Sequence, residues 1–303
     1  MFVAGLARAG TTALLRVLHR TGAFCSLTYR DMPFVLAPNT WAGLTALSRR
    51  DAAVQERAHG DGIVVDADSP EALDEVFWRV FCGSSYIGRQ ALSPMLADDE
   101  VLEKFRRYVA LVLKRYEGDR YLSKNNNNVL RLPSIRKAFP KAQILVPFRD
   151  PVQQAFSLQM QHRRFVVRQR EDPFARDYMT WLAHHEFGLD HRPFGSPGVD
   201  GDPDGAVPVH WLRQWVAVYD WVWRRAQADA VDPVFVGYEL MCAEPARICG
   251  RLEALLGLPR ASLSFEPRES RAYVPPIDDR NLLDRAWRLY EALQAASRAT
   301  LLC

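Results

Sequence analysis

A glycine-rich turn near the start of the chain constrains the fold more than any other feature. Residues 1–4 (Met-Phe-Val-Ala) form a short apolar run that predicts a buried strand, and residues 5–10 follow it as a turn that begins and ends with glycine. A helix is predicted to begin near Thr11 and to stop at Gly22. A strand, such a turn and a helix N-terminus together present backbone N–H groups and a positive dipole end to an anion.

The side chains of the turn indicate which anion it suits. The segment Gly5-Leu6-Ala7-Arg8-Ala9-Gly10-Thr11-Thr12 has the spacing of a nucleotide phosphate loop, but Thr11 stands where ATP-binding loops carry a lysine. That lysine would reach the β- and γ-phosphates, so its absence argues against a kinase or ATPase. Arg8 places the cation inside the turn, which suits a nucleotide whose single 5′-phosphate bears another charged group. The alternative is a tight turn that binds nothing.

A second basic position follows the clearest core strand, residues 144–148 (Ile-Leu-Val-Pro-Phe). Arg149 ends this strand, Asp150-Pro151 opens a helix, and Ser157 lies about two turns into that helix. An arginine at a strand end is more often a salt-bridge partner than a ligand. Because ligands bind at the carboxyl edge of an open parallel sheet, the two motifs together favour an anion site there.

Together these motifs resemble those of sulfotransferases that use PAPS (3′-phosphoadenosine-5′-phosphosulfate) as donor. The resemblance covers residues 1–22 and 120–260 and fades in 23–118. It implies a three-layer α/β/α fold with a central parallel sheet, like that of P-loop NTPases, and with helical cap segments. We expect a single domain over residues 1–303, with acceptor-side insertions at about 23–118 and 160–230.

The resemblance also implies roles for individual residues. The 5′-phosphosulfate would be held by Arg8 and by the backbone at Ala9, Gly10, Thr11 and Thr12. The 3′-phosphate would be held by Arg149 and Ser157, and the adenine would be contacted by Tyr238. Lys124 matches a lysine that many members place near the bridging oxygen, although it also fits a solvated loop lysine. A C-terminal basic loop that closes over the nucleotide would contain Arg268, Ser270 and Arg271.

The general base stays open at this point. Cytosolic-type members place a histidine two residues after the lysine, but this chain has Asn126 there. An amide can orient an acceptor hydroxyl but cannot take its proton. Other members use a carboxylate soon after the first helix, so Asp31 is the first choice for the base. The alternative interpretation is that Asp31 is only a turn residue close to Pro33. Weaker choices are Glu71, which follows Ser69-Pro70 in a predicted helix start, and Glu75 and His59.

Composition sets outer limits on the function. The net charge of +3 is too small to argue for nucleic acid as a partner. The five cysteines are odd in number and lack metal-ligand spacing, and the first residues run straight into the loop without a signal peptide, so we expect a reduced, cytoplasmic protein. No apolar run approaches the length of a membrane span. His184-His185 and His191 lack further ligands nearby in sequence, so we expect no metal site.

The acceptor is not specified by the sequence. A glycan or another small molecule fits, and a homo-oligomer stays open. The basic run at 162–170 is typical of a solvated helix face, with contact to an anionic acceptor as the minority interpretation. Trp211 and Trp215 have core spacing, and the loop at 190–206 fits an acceptor-side lid or a mobile segment. The competing functions are a P-loop kinase or ATPase and a non-catalytic nucleotide-binding protein of the same fold.

Overall fold

The computed structural model describes residues 1–45, 55–56, 64–195, 205, 207–228, 231–266 and 276–302. No helix in these ranges has both the length and the apolar composition needed to cross a membrane.

Four parallel strands form the central sheet. They are β1 (Phe2–Val3), β4 (Ser123–Lys124), β5 (Ile144–Phe148) and β6 (Pro233–Gly237), in the spatial order β4-β1-β5-β6. β5 is buried along its whole length, as expected for a strand covered on both faces. A separate antiparallel pair consists of β2 (Gln55–Glu56) and β3 (Val64–Val65).

Helices connect and cover the strands. In chain order they are α1 (Thr11–Arg20), α2 (Pro38–Thr45), α3 (Glu75–Tyr86), α4 (Asp99–Arg115), α5 (Leu132–Ala138), α6 (Pro151–Glu171), α7 (Pro173–Trp181), α8 (Pro208–Gln227), α9 (Tyr238–Ala243), α10 (Pro245–Leu256) and α11 (Arg280–Leu301). Short 3₁₀ turns cover Tyr29–Asp31 and Asn126–Leu130.

Alternating side chains of the strands build two cores, one on each face of the sheet. Phe2, Ile144 and Val146 face a core shared with α3, α4, α5, α6 and α8. Val3 and Leu145 face the opposite core, which contains apolar residues of α1 and α10. Because neighbouring residues of a strand point to opposite faces, this division gives three layers. The predicted α/β/α fold with a parallel sheet is confirmed.

The helix start predicted at Ser69-Pro70 is wrong. Pro70 pairs with Thr28 in an isolated bridge, and the Glu71 N–H donates to the Leu27 carbonyl at 3.2 Å. These contacts hold the segment extended, so α3 begins only at Glu75.

Candidate active site

The loop between β1 and α1 needs glycine at both ends. A side chain at Gly5 would place its Cβ only 2.8 Å from the Pro147 carbonyl oxygen, because β5 passes directly beside the loop. Gly10 has φ of +85°, and a Cβ there would lie 2.9 Å from Cδ2 of Tyr238. Arg8 also has a positive φ, of 68°. The loop therefore turns sharply into α1, whose first amides receive no side-chain cap from Gly10.

One hydrogen bond joins the two motifs singled out in the sequence. Arg8 Nε donates to Ser157 Oγ at 2.9 Å, across 149 positions of sequence. Ser157 lies on α6, which begins at the end of β5 with Asp150 as its N-cap. The parallel pairing of β1 with β5 brings the loop and the start of α6 to the same edge of the sheet.

Glutamine and aromatic residues behind the loop fix its position. Gln154 Nε2 donates to the Ala7 carbonyl at 3.0 Å, and Trp215 Nε1 donates to Gln154 Oε1 at 3.0 Å. Tyr219 OH donates to the Pro147 carbonyl at 2.9 Å. Trp215 is fully buried, so this member of the tryptophan stripe is core, as its spacing predicts. A loop held in this way is preorganised for a ligand.

Arg149 and Tyr238 lie on the same side of the loop. The Arg149 guanidinium carbon is 5.2 Å from the centre of the Tyr238 ring, and its Nε is 3.9 Å from Glu239 Oε1. Tyr238 in turn packs against Gly10. Burial raises the pKa of Tyr238 to about 12, so its phenol stays protonated at neutral pH. Arg8 within the turn and Arg149 beside Tyr238 therefore bring two cationic side chains to this edge of the sheet.

Lys124 comes to this edge on the neighbouring strand. It is the last residue of β4 and pairs in register with Val3, immediately before the loop. Its side chain is largely buried, with 8% of the residue exposed. The next four residues, Asn125 to Asn128, are also buried. A lysine at this place is held by the sheet, unlike a solvated loop lysine.

Asp31, the first choice for the base, is buried and hydrogen-bonded. It is 1% exposed, and its Oδ2 accepts from the Thr28 N–H at 2.9 Å and from Tyr116 OH at 2.6 Å. Arg115 Nε lies 3.7 Å from its other oxygen. The side chains of Thr28 and Asp31 form a capping box for the turn Tyr29–Asp31, and Asp31 Oδ1 is buried without a hydrogen-bond donor among the described residues.

Glu75 is also explained by its structural partners. It is fully buried, and it accepts hydrogen bonds from Arg131 Nη2 and Asn127 Nδ2, among others. Glu71 differs because it is only half-buried. Its carboxylate accepts from Tyr29 OH at 3.1 Å and from the Ala72 N–H at 2.9 Å. His59, Arg268, Ser270 and Arg271 lie outside the described residues.

The structure adds a histidine and a carboxylate that sequence reasoning missed. His184 and Glu186 follow α7, and His184 Nδ1 is 3.6 Å from Glu186 Oε1. Asn126 Nδ2 donates to the same Glu186 oxygen at 3.1 Å. No sequence spacing brings residues 126 and 186 together, and the sequence around His184 points only to a possible metal ligand.

His184 and Glu186 each stabilise the charged form of the other. Burial disfavours ionisation of both groups. The nearby Glu186 carboxylate nevertheless raises the pKa of His184, and the His184 charge and hydrogen bonds hold the pKa of Glu186 at about 2. The charge of Glu71 raises the pKa of His184 further, and that of Lys124 lowers it. The cluster of Lys124, Asn126, His184, Glu186 and Glu71 is called the acceptor-side cluster below.

Other features lie apart from this site. A cavity of about 540 Å³ opens near Met1, Phe2 and Gln143, at the amino edge of the sheet, where parallel sheets do not place their ligands. Within the described ranges no group of three or more His, Cys, Asp or Glu side chains could hold a metal ion. His191 instead lies 3.0 Å from His210 between ring nitrogens. The basic run lies on α6 and exposes Arg163, whereas His162 is buried.

Comparisons with known proteins place the chain in a family. A model of the Sulfotransferase family matches residues 1–193, which include the loop, Lys124, Arg149 and Ser157. No curated protein matches the sequence.

Three solved sulfotransferases are similar in fold at low sequence identity. STF9 from Mycobacterium avium is 17% identical, with 97% of this chain and 67% of that chain covered and a TM-score of 0.47. STF1 from Mycobacterium tuberculosis H37Rv is 15% identical, with 98% and 76% covered and a TM-score of 0.44. A sulfotransferase from Alicyclobacillus acidocaldarius is 13% identical, with 99% and 94% covered and a TM-score of 0.41. Because the family match spans well over half of the 303 residues, the chain belongs to the sulfotransferase family.

Proposed function

We propose that this family member transfers the sulfuryl group of PAPS to a hydroxyl or amine acceptor, by in-line displacement that requires no metal ion. The observation that supports this most is the hydrogen bond from Arg8 to Ser157. It joins a phosphate loop to a second basic site at one edge of the sheet. A nucleotide with phosphates at both its 5′ and 3′ positions needs two such sites, whereas ATP needs a loop lysine that Thr11 replaces.

The donor would be held along the turn and across to β5. The backbone at Ala9, Gly10, Thr11 and Thr12, together with Arg8, would bind the 5′-phosphosulfate at the N-terminus of α1. Arg149 and Ser157 would bind the 3′-phosphate, and the exposed part of the Tyr238 ring would contact the adenine. The described residues do not include Arg271, so its proposed closure over the nucleotide rests on the family resemblance alone.

In the transfer step, the acceptor oxygen or nitrogen attacks sulfur while the bond from sulfur to the bridging oxygen breaks. The electron pair of that bond stays on the 5′-phosphate of the product PAP (3′-phosphoadenosine-5′-phosphate), and the acceptor loses its proton to a base. Lys124 would stabilise the charge that develops on the leaving phosphate, and Arg8 with the loop amides would stabilise the sulfuryl oxygens. Because the loop is held in place by Gln154, these groups would need little rearrangement.

Thermal unfolding in the presence of PAP tests donor binding. With EDTA present and PAP at one hundred times its dissociation constant, we expect about 2.7 kcal/mol of stabilisation and a melting temperature several degrees higher. In Arg149→Ala, loss of charge-assisted hydrogen bonds should weaken PAP binding about tenfold to a hundredfold.

The matched control is Arg163→Ala, an exposed arginine on α6 that should leave the PAP response unchanged. A protein that responds to Mg-ATP but not to PAP would overturn the proposal. An Arg149→Ala variant that responds to PAP like the wild type would remove Arg149 from the 3′-phosphate site.

A further inference from the structure

The turn that carries His184 is attached directly to the segment that follows Lys124. Ala183 has a positive φ of 54°, which bends the chain after α7. Its carbonyl accepts from Asn127 Nδ2 at 3.3 Å, and Glu186 accepts from Asn126 Nδ2 at 3.1 Å. His184 is itself held by a backbone hydrogen bond from its N–H to the Met179 carbonyl at 2.9 Å. Two asparagine contacts therefore fix the histidine relative to Lys124.

Two buried oxygen atoms in the acceptor-side cluster have no hydrogen-bond donor among the described residues. They are Glu186 Oε2 and Asn126 Oδ1, and each of these residues is only 8% exposed. A buried acceptor without a donor costs about 1–3 kcal/mol, so such atoms mark a place where a ligand or water supplies the donor. Glu186 also lines a small cavity beneath Leu6 and Ala7 of the loop. Hydroxyl and amine acceptors carry suitable donors.

We propose that His184 is the general base that takes the proton of the acceptor, and that Glu186, held by Asn126, is the positioning residue for its ring. This inference rests on the proposed sulfuryl transfer. The acceptor O–H or N–H proton moves to a ring nitrogen of His184 as the acceptor atom bonds to sulfur, and the imidazolium that forms is stabilised by Glu186. Nδ1 of His184 is in ion-pair contact with Glu186 Oε1 at 3.6 Å, and Asn126 donates to the same oxygen, so the carboxylate would orient the ring once the proton arrives.

The charged groups around His184 predict a pH dependence of known sign. Glu186 and Glu71 raise the pKa of His184, while Lys124 lowers it, and His185 is its sequence neighbour. Burial and the nearby Arg192 lower the pKa of His185 to about 4, so it is neutral at physiological pH. Only neutral His184 can accept a proton, so transfer should fall as the pH drops below its pKa. Replacing Glu186 by Gln should therefore move this acidic limb to lower pH.

Glu71 is the competing base because its charge acts on His184 and its side chain is half-buried. Its carboxylate, however, already accepts hydrogen bonds from Tyr29 and from its neighbour's N–H. The experiment below separates the two.

Initial rates of labelled sulfuryl transfer from PAPS would be measured between pH 5 and 9 with a phenol, a primary alcohol, a monosaccharide and a primary amine as probes, and with water alone. PAP binding would be measured on every variant. We expect His184→Gln to lower kcat about 10²–10⁴-fold. The acidic limb of its pH–rate profile should disappear, and its affinity for PAP should stay unchanged. Glu186→Gln should retain more activity with its limb displaced to lower pH. His19→Gln, a matched histidine at the end of α1, should behave as the wild type.

Each contrary result has a distinct meaning. A His184→Gln variant within threefold of the wild-type kcat, or a loss of activity in Glu71→Gln alone, would overturn the assignment while leaving PAPS-dependent transfer intact. If Glu186→Gln lost the same fraction of activity at every pH and also bound PAP more weakly, the role of Glu186 and His184 would be structural only. A wild-type protein that binds no PAP, or that transfers to none of the probes and does not hydrolyse PAPS, would overturn the proposed function and the base together.

Discussion

Lys124→Ala is expected to lower kcat for sulfuryl transfer by about 10²–10³-fold while PAP binding changes little. The lysine ends β4 in register with Val3, the residue that precedes the loop, and it is largely buried. Charge on the leaving phosphate grows only as the sulfur bond breaks, so the loss should appear in kcat. Single-turnover transfer from labelled PAPS, alongside calorimetric titration with PAP, measures the two effects separately.

The control for this variant is Lys137→Ala, an exposed lysine on α5 that pairs with Asp99 at 2.7 Å. It should keep the wild-type rate. Because Lys124 lowers the pKa of His184, its removal should also shift the acidic limb of any remaining activity to higher pH. A Lys124→Ala variant with kcat within threefold of wild type would contradict the role given to this residue.

Glu75→Ala is expected to lower the free energy of unfolding by about 3–5 kcal/mol. Glu75 and Arg131 are both fully buried and form an ion pair. The guanidinium of Arg131 also lies 4.8 Å from the centre of the Trp78 ring and 5.2 Å from that of Tyr86. Removing the carboxylate would leave this cation buried without its counter-charge. Urea denaturation measures the loss.

Two comparisons make the stability result specific. Glu103→Ala removes an exposed partner of Arg106 and Arg107 and should leave the free energy of unfolding close to its wild-type value. The double variant Glu75→Ala/Arg131→Met removes both charges and should recover part of the lost stability. A Glu75→Ala protein within about 1 kcal/mol of wild type would contradict the account of this pair.

Local sequence was enough to predict the layers of the fold and the meeting of the loop with the start of α6 at one edge of the sheet. Strands, glycine turns and helix caps are local patterns, so the sequence alone predicts a strand at residues 2–3, a turn after it and a strand that ends at Arg149. Parallel pairing then brings the ends of the two strands together. The Arg8–Ser157 contact is a direct consequence of that pairing.

The surroundings of Asp31 and His184 could not be predicted from local sequence in the same way. The turn before Pro33 indicates a carboxylate at Asp31, but its hydrogen bond from Tyr116, 85 positions away, is not visible in the local sequence. His184 depends on Asn126 and Glu186, whose pairing spans 60 positions. The structure begins α3 later than the sequence predicts, because residues 27–28 hold Pro70 and Glu71 in an extended conformation. Contacts between distant segments decide these cases, and no single-sequence pattern encodes them.

The central claim is that the loop and the Arg149 site together bind PAPS for transfer. Its most direct test is the release of PAP and labelled product from ³⁵S-labelled PAPS, with EDTA present, across phenol, alcohol, sugar and amine acceptors. We predict transfer to at least one acceptor class at a rate that EDTA does not change. PAPS left intact with every acceptor, by a protein that instead hydrolyses ATP or transfers its γ-phosphate when Mg²⁺ is added, would contradict the account.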